Sequence, residues 1–183
     1  MADAINQKVV QWASGKVGQM VGSGECWDLA NGALTDSGAN SSTTTGADDD
    51  YVWGDAVDLS QVIPGDILQF RDYTVTTTTT TTATFDDKSE TEDTQTASID
   101  RPHHTAIVWH TTAPGALDIL EQNAPPAGRR VQRFALITRG STSTTTERKT
   151  VKDAKNKLRL ATVVRTVEIQ VSGRIQAYRP KAK

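Results

Sequence analysis

Residues 22–34 read GSGECWDLANGAL, and the rest of the chain is best understood outward from them. Gly22-Ser23-Gly24 breaks what precedes it, and a helix is expected to begin near Glu25, with Trp27, Ala30 and Leu34 on one face and an end by Gly38. Cys26, the sole cysteine, then sits in the first turn of that helix, where exposed N–H groups and the helix dipole favour a thiolate. A lone cysteine is more often a small buried hydrophobe, so its position alone does not make it a nucleophile.

A second chemical group lies far downstream. His103 and His104 lead into Thr105-Ala106-Ile107-Val108-Trp109, apolar on both faces and so expected to be a central buried strand. Neighbouring strand residues face opposite ways, which directs only one of the two histidines to any one site. His110 has the parity of His104 but lies about 20 Å further along, which argues against a three-histidine metal site. The next strand ends in Glu121-Gln122-Asn123, where Glu121 and Asn123 are expected to share a face. A carboxylate or amide there could accept an imidazole N–H and fix the tautomer that activates a thiol, although a polar turn before Pro125-Pro126 would read the same way.

The surrounding elements follow from periodicity. Val10, Ala13, Val17 and Met20 predict an amphipathic helix over 4–20, weakened by Gly15 and Gly18. Residues 35–50 lack apolar periodicity and read as a surface loop. Ile63-Pro64-Gly65-Asp66 marks a tight turn into the strand Ile67–Phe70. Seven consecutive threonines, Thr76–Thr82, and the polar run Ser89–Ser98 read as a long hairpin insertion over about 73–99, with low-complexity disorder as the competing account. Further strands are expected at 117–121, 131–138 and 162–171, with Gly173 turning the last into 174–178. Helices followed by a run of strands give an α+β class with an antiparallel sheet.

Composition narrows the function classes. At 183 residues one domain over 1–183 is expected, since two full cores would be cramped. Residues 147–183 carry 11 Lys+Arg against 3 Asp+Glu, and residues 1–146 carry 9 against 19. The basic residues alternate with apolar ones and have no interleaved aromatics, which favours a solvated sheet face over a nucleic-acid surface. One cysteine allows no internal disulfide, and no stretch reaches the roughly 18 apolar residues that span a bilayer. No membrane or nucleic-acid partner, no cofactor and no metal is expected. The location expected is cytoplasmic, or reached by export without a signal peptide.

The order of Gly24-Glu25-Cys26-Trp27, Pro64-Gly65-Asp66-Ile67, His104-Thr105-Ala106-Ile107-Val108 and Glu121-Gln122-Asn123 resembles the CHAP and NlpC-type peptidases and amidases of the papain-like superfamily. The phrases GECWDLA, YVWG, PGDILQFRD and HHTAIV are more closely similar to the cysteine-proteinase-fold domain of fungal actin-patch adaptors and their bacterial relatives. The first resemblance implies a papain-like fold with Cys26 as nucleophile, His104 as general base, Glu121 orienting the histidine, Asn123 in support, and a peptide or amide substrate. Glu25 departs from that pattern, because many CHAP domains have Gln there and a carboxylate near a developing oxyanion would hinder. The alternative suggested by Glu25, the insertion and the adaptor resemblance together is a papain-like fold kept as a non-catalytic interaction module, which meets a protein partner through the threonine-rich hairpin and the loop 35–50.

Overall fold

The structure, a computed structural model, describes residues 4–43, 49–113 and 116–183; positions 44–48 of the loop expected over 35–50 lie outside the described residues. The chain divides into two compact units, one of Met1–Thr74, Asp100–Thr138 and Ser172–Lys183, the other of Val75–Ile99 and Arg139–Val171. Two helices, α1 (Ala4–Ser14) and α2 (Cys26–Asp36), precede seven strands: β1 (Asp55–Val57), β2 (Ile67–Phe85), β3 (Glu90–Ala113), β4 (Ala116–Glu121), β5 (Gln132–Ile137), β6 (Ser141–Lys152) and β7 (Leu158–Arg179). Hydrogen-bonded neighbours run β1-β7-β2-β3-β4-β5, with β6 on β7, and every register resolved is antiparallel. The class is α+β.

In the first unit the helices supply Val9, Ala13, Leu29, Ala30, Ala33 and Leu34 to a core that the sheet completes with Ile67, Ile107 and Leu120. Ile107 and Leu120 face each other across β3 and β4 and are fully buried, so both faces of the central strand are apolar for a reason. The first helix is shorter than its periodicity predicts. It stops at Ser14 because Gly18 and Gln19 pair instead with Val131, through Gly18 N to Val131 O at 2.9 Å and Val131 N to Gln19 O at 2.8 Å. Val17 and Met20 are left exposed.

The Pro64-Gly65-Asp66 turn ties this unit together. Asp66, with no exposed surface, accepts from the Ile63 N–H (2.9 Å), Asn6 Nδ2 (2.8 Å) and Arg179 Nη2 (2.9 Å), linking α1, the turn and the end of β7. Gly65 has φ +90°, and a Cβ there would run into the Asn6 backbone. Gly65→Ala is therefore expected to destabilise the fold by about 2–5 kcal/mol, through left-handed strain and overpacking together. A urea denaturation curve checks it: the midpoint should fall with an unchanged slope.

The second unit is built on few apolar residues, Ala83, Phe85, Ala161 and Val163, with Val151 against them. Along β2 and β3, alternate hydroxyls meet across the strands, Thr76 with Ser98 at 3.1 Å, Thr78 with Thr96 at 3.4 Å and Thr80 with Thr94 at 3.3 Å. Strand β6 pairs with β7 from Ser141↔Ile169 to Lys152↔Leu158, yet its side chains are almost all exposed. That polarity hides it from hydrophobic periodicity, and no strand was expected there. Gly173 also corrects an expectation, since it lies within one continuous strand rather than turning between two. Its φ of +82° and its close approach to the backbone of Asp72 and Tyr73 explain the glycine.

Candidate active site

Cys26 occupies the first position of α2, behind Glu25 as the cap residue. The preceding turn is held by Asp28, whose Oδ2 accepts from the Glu25 N–H at 3.1 Å, the Ser23 N–H at 2.9 Å and the Ser23 hydroxyl at 2.7 Å. These bonds hold the Asp28 carboxyl below the usual carboxylate range, overcoming the burial that pushes it up. The segment after β4 grips the same turn from the other side. Gln122 bonds Val21 and Glu25, and Arg129 Nη1 donates to Ser23 O at 3.3 Å. The sulfur is thus presented by a helix end whose approach is fixed on both flanks.

His104 reaches the sulfur from β3. Its ring lies beside Phe70, with centroids 5.8 Å apart, and is 4% exposed. Nε2 stands 3.0 Å from Glu121 Oε2, which leaves Nδ1 as the nitrogen available to the hydrogen bond with Cys26. Burial pushes the Cys26 thiol up, but the hydrogen bond and charge of His104, helped by the backbone N–H groups of Thr105 and Trp27, bring it below the ordinary thiol value. Burial likewise presses His104 down, and its bonds to Cys26 and Glu121 outweigh that and raise it. The two shifts favour one state, a thiolate beside an imidazolium.

Glu121 ends β4, directly opposite Ala106 of β3, and has no exposed surface. Arg101 grips it in bidentate fashion, Nε to Oε2 at 3.0 Å and Nη2 to Oε1 at 2.8 Å, while Gln132 Nε2 donates to Oε1 at 3.0 Å. Burial pushes the Glu121 carboxyl up, and the bonds and charges of His104 and Arg101 bring it below the usual range. The Arg101 guanidinium lies over the Phe134 ring at 5.1 Å from its centroid. Below the sulfur, buried Gln69 Oε1 accepts from the Thr105 hydroxyl (2.8 Å) and from Trp53 Nε1 (3.2 Å), anchoring the residue that follows His104.

Of the four expected site residues, Cys26, His104 and Glu121 come together, and Asn123 lines the same cleft but bonds Glu25 rather than the histidine. Strand alternation stops at Glu121, and Asn123 has φ +62°, turning its amide to Glu25 Oε2 at 2.6 Å. With Arg129 Nη2 at 3.5 Å from Oε1, this tether holds the carboxylate of Glu25 beside Cys26. His103 departs from strict alternation as well, because its ring, stacked on Tyr51 at 5.4 Å, lines the same cleft as His104. Arg101, Gln122 and Gln132 were not foreseen. Arg101 has the wrong parity to share a face with His104, yet its long side chain reaches Glu121.

A cleft of about 610 Å³ opens on Cys26 and His104, walled by Trp27, Tyr51, Pro102 and Pro125 and edged by Glu25 and Asp100. In comparisons with curated proteins and with solved structures, nothing matches the chain. The family model of the AIM3/BBC1 cysteine proteinase-fold domain matches residues 1–182. A helix-borne cysteine, a strand-borne histidine and a buried acid around one cleft agree with that match over nearly the whole chain, and the protein belongs to the AIM3/BBC1 cysteine proteinase-fold domain family.

Proposed function

We propose that the chain is a cysteine hydrolase that cleaves a peptide or amide bond, with Cys26 as nucleophile, His104 as acid and base, and Glu121 holding the histidine. The observation that carries this reading is the buried relay of Glu121 to His104, 3.0 Å long, ending at a half-buried thiol on an open cleft. The Cys26 thiolate adds to the carbonyl carbon, and the oxygen takes up the negative charge. Collapse breaks the C–N bond as the His104 imidazolium protonates the departing amine, leaving a thioester. Water, deprotonated by His104, then attacks the thioester and releases the acid and the thiolate. Glu121 stabilises the imidazolium and stays ionised throughout.

Alkylation by iodoacetamide tests the reading. Because Cys26 lies below the ordinary thiol value and His104 above its own, the rate should rise with pH earlier than that of a free thiol, through the lowered Cys26 pKa. His104→Ala should move that rise upward and slow alkylation at pH 6 by about tenfold or more. A profile centred at the ordinary thiol value in the unaltered chain, indifferent to His104→Ala, would end the proposal.

A second reading takes residues 73–99 as a hairpin insertion that docks a protein partner. Its support is the row of hydroxyls at Thr76, Thr78 and Thr80, paired across the strands. Deleting residues 76–95 should then abolish partner capture, and unchanged capture refutes it.

A further inference from the structure

We propose that Gln122 is a positioning residue that aims the Cys26 N–H at the oxyanion formed in the acyl transfer described above, on which this inference rests. Gln122 has no exposed surface, and its amide is fully used. Oε1 accepts from the Val21 N–H at 2.8 Å, and Nε2 donates to Val21 O at 3.0 Å and to Glu25 O at 2.8 Å. The two bonds to Val21 form a ring like that between paired peptide groups, which fixes which end of the amide is oxygen.

The third bond matters to the chemistry. The Glu25 carbonyl shares a rigid plane with the Cys26 N–H, and in a trans peptide the two point in opposite directions. Drawing Glu25 O toward Gln122 therefore turns the Cys26 N–H away from Gln122. The cleft is lined by Cys26, Trp27 and Asn123 and not by Gln122, as expected if the Cys26 N–H is turned toward it. Glu25 has ψ 156°, outside the helical range, so the helix alone does not set this plane. The Asp28 N–H, 3.1 Å from Glu25 O, shares the task. Being at the first helical position, the Cys26 N–H has no acceptor within the helix and is free to bond an oxyanion. A buried amide with two donors and one acceptor is what this arrangement requires; neither an acid nor an apolar residue of the same size supplies it.

Two reagents separate positioning from mere structural support. With p-nitrophenyl acetate, the Cys26 thiolate attacks the carbonyl carbon, the oxygen becomes anionic, and collapse expels p-nitrophenolate to leave an acetyl thioester. With iodoacetamide, the same thiolate displaces iodide and no oxyanion forms. Gln122→Met should slow acylation by about tenfold or more, the scale of a weakened oxyanion donor, while the rate and pH profile of alkylation stay as they were. Gln122→Glu, which keeps an acceptor for the Val21 N–H but cannot hold the Glu25 carbonyl, should show the same selective loss. Parallel slowing of both reactions would make Gln122 only a support of the fold and overturn the inference, as would undiminished acylation in either variant. If the unaltered chain is not alkylated below the ordinary thiol range, the hydrolase reading itself fails and takes this inference with it.

Discussion

Arg101→Met is expected to lower the melting temperature by about 6–20 °C, from a loss of about 3–5 kcal/mol when one partner of a buried ion pair is removed. The arginine side chain is 5% exposed and Glu121 not at all, so the carboxylate left behind has no access to water. His104 and Gln132 still reach it, but Arg101 supplies both the fixed charge and the bidentate geometry. The dependence on pH gives a further check. Glu121 is held below the usual carboxylate range in the folded chain, so its contribution is complete above its unfolded value of about 4.3 and is lost as pH falls through the folded one. The difference between the two proteins should therefore be large at neutral pH and shrink in acid. His104 has the opposite sign: raised when folded, it stabilises below about pH 6.5 and ceases to do so as pH rises through its folded value. Circular dichroism melts from pH 3 to 9 would show both trends, and an Arg101→Met melt matching the parent at pH 7 would refute the account of the pair.

Combining Arg101→Met with Glu121→Gln should recover much of that stability and lose nearly all of the chemistry. With both charges gone, no lone ion stays buried, and the two substitutions should be far from additive. His104 then faces a neutral amide, which neither enforces its tautomer nor balances an imidazolium. Acylation by p-nitrophenyl acetate should fall by on the order of 10²-fold or more, in line with the loss of the acid from other nucleophile-histidine-acid sites. Rapid acylation in the double variant would mean that the carboxylate is not part of the reacting unit.

The helix beginning at Cys26, the buried strand behind His104 and the strand ending at Glu121 were legible because each is written in short-range patterns of apolar residues and turn formers. Cys26 opens α2 and Glu121 ends β4, as the sequence suggested, whereas His104 lies within β3, which starts at Glu90 rather than at the histidines. Strand β6 could not be read, because threonine and charge occupy both of its faces and backbone pairing with β7 alone defines it. The shared face expected for Glu121 and Asn123 carried strand alternation one step beyond the strand, and the 4–20 helix was drawn too long by counting Val17 and Met20 as core. Arg101 and Gln122 were invisible for a different reason. Their importance comes from what they hold, and a residue that holds another carries no local signature of doing so.

Cys26 is the one sulfhydryl in these 183 residues. A thiol whose pKa is lowered, as that of Cys26 is by His104, is more readily taken to the sulfenic acid by peroxide, and in many redox enzymes a neighbouring cysteine then condenses with it and shields it from further damage. No such neighbour exists within this sequence, so rescue would have to come from an outside thiol such as glutathione. Without that donor, the lowered pKa of Cys26 would favour its passage on to the irreversible sulfinic form.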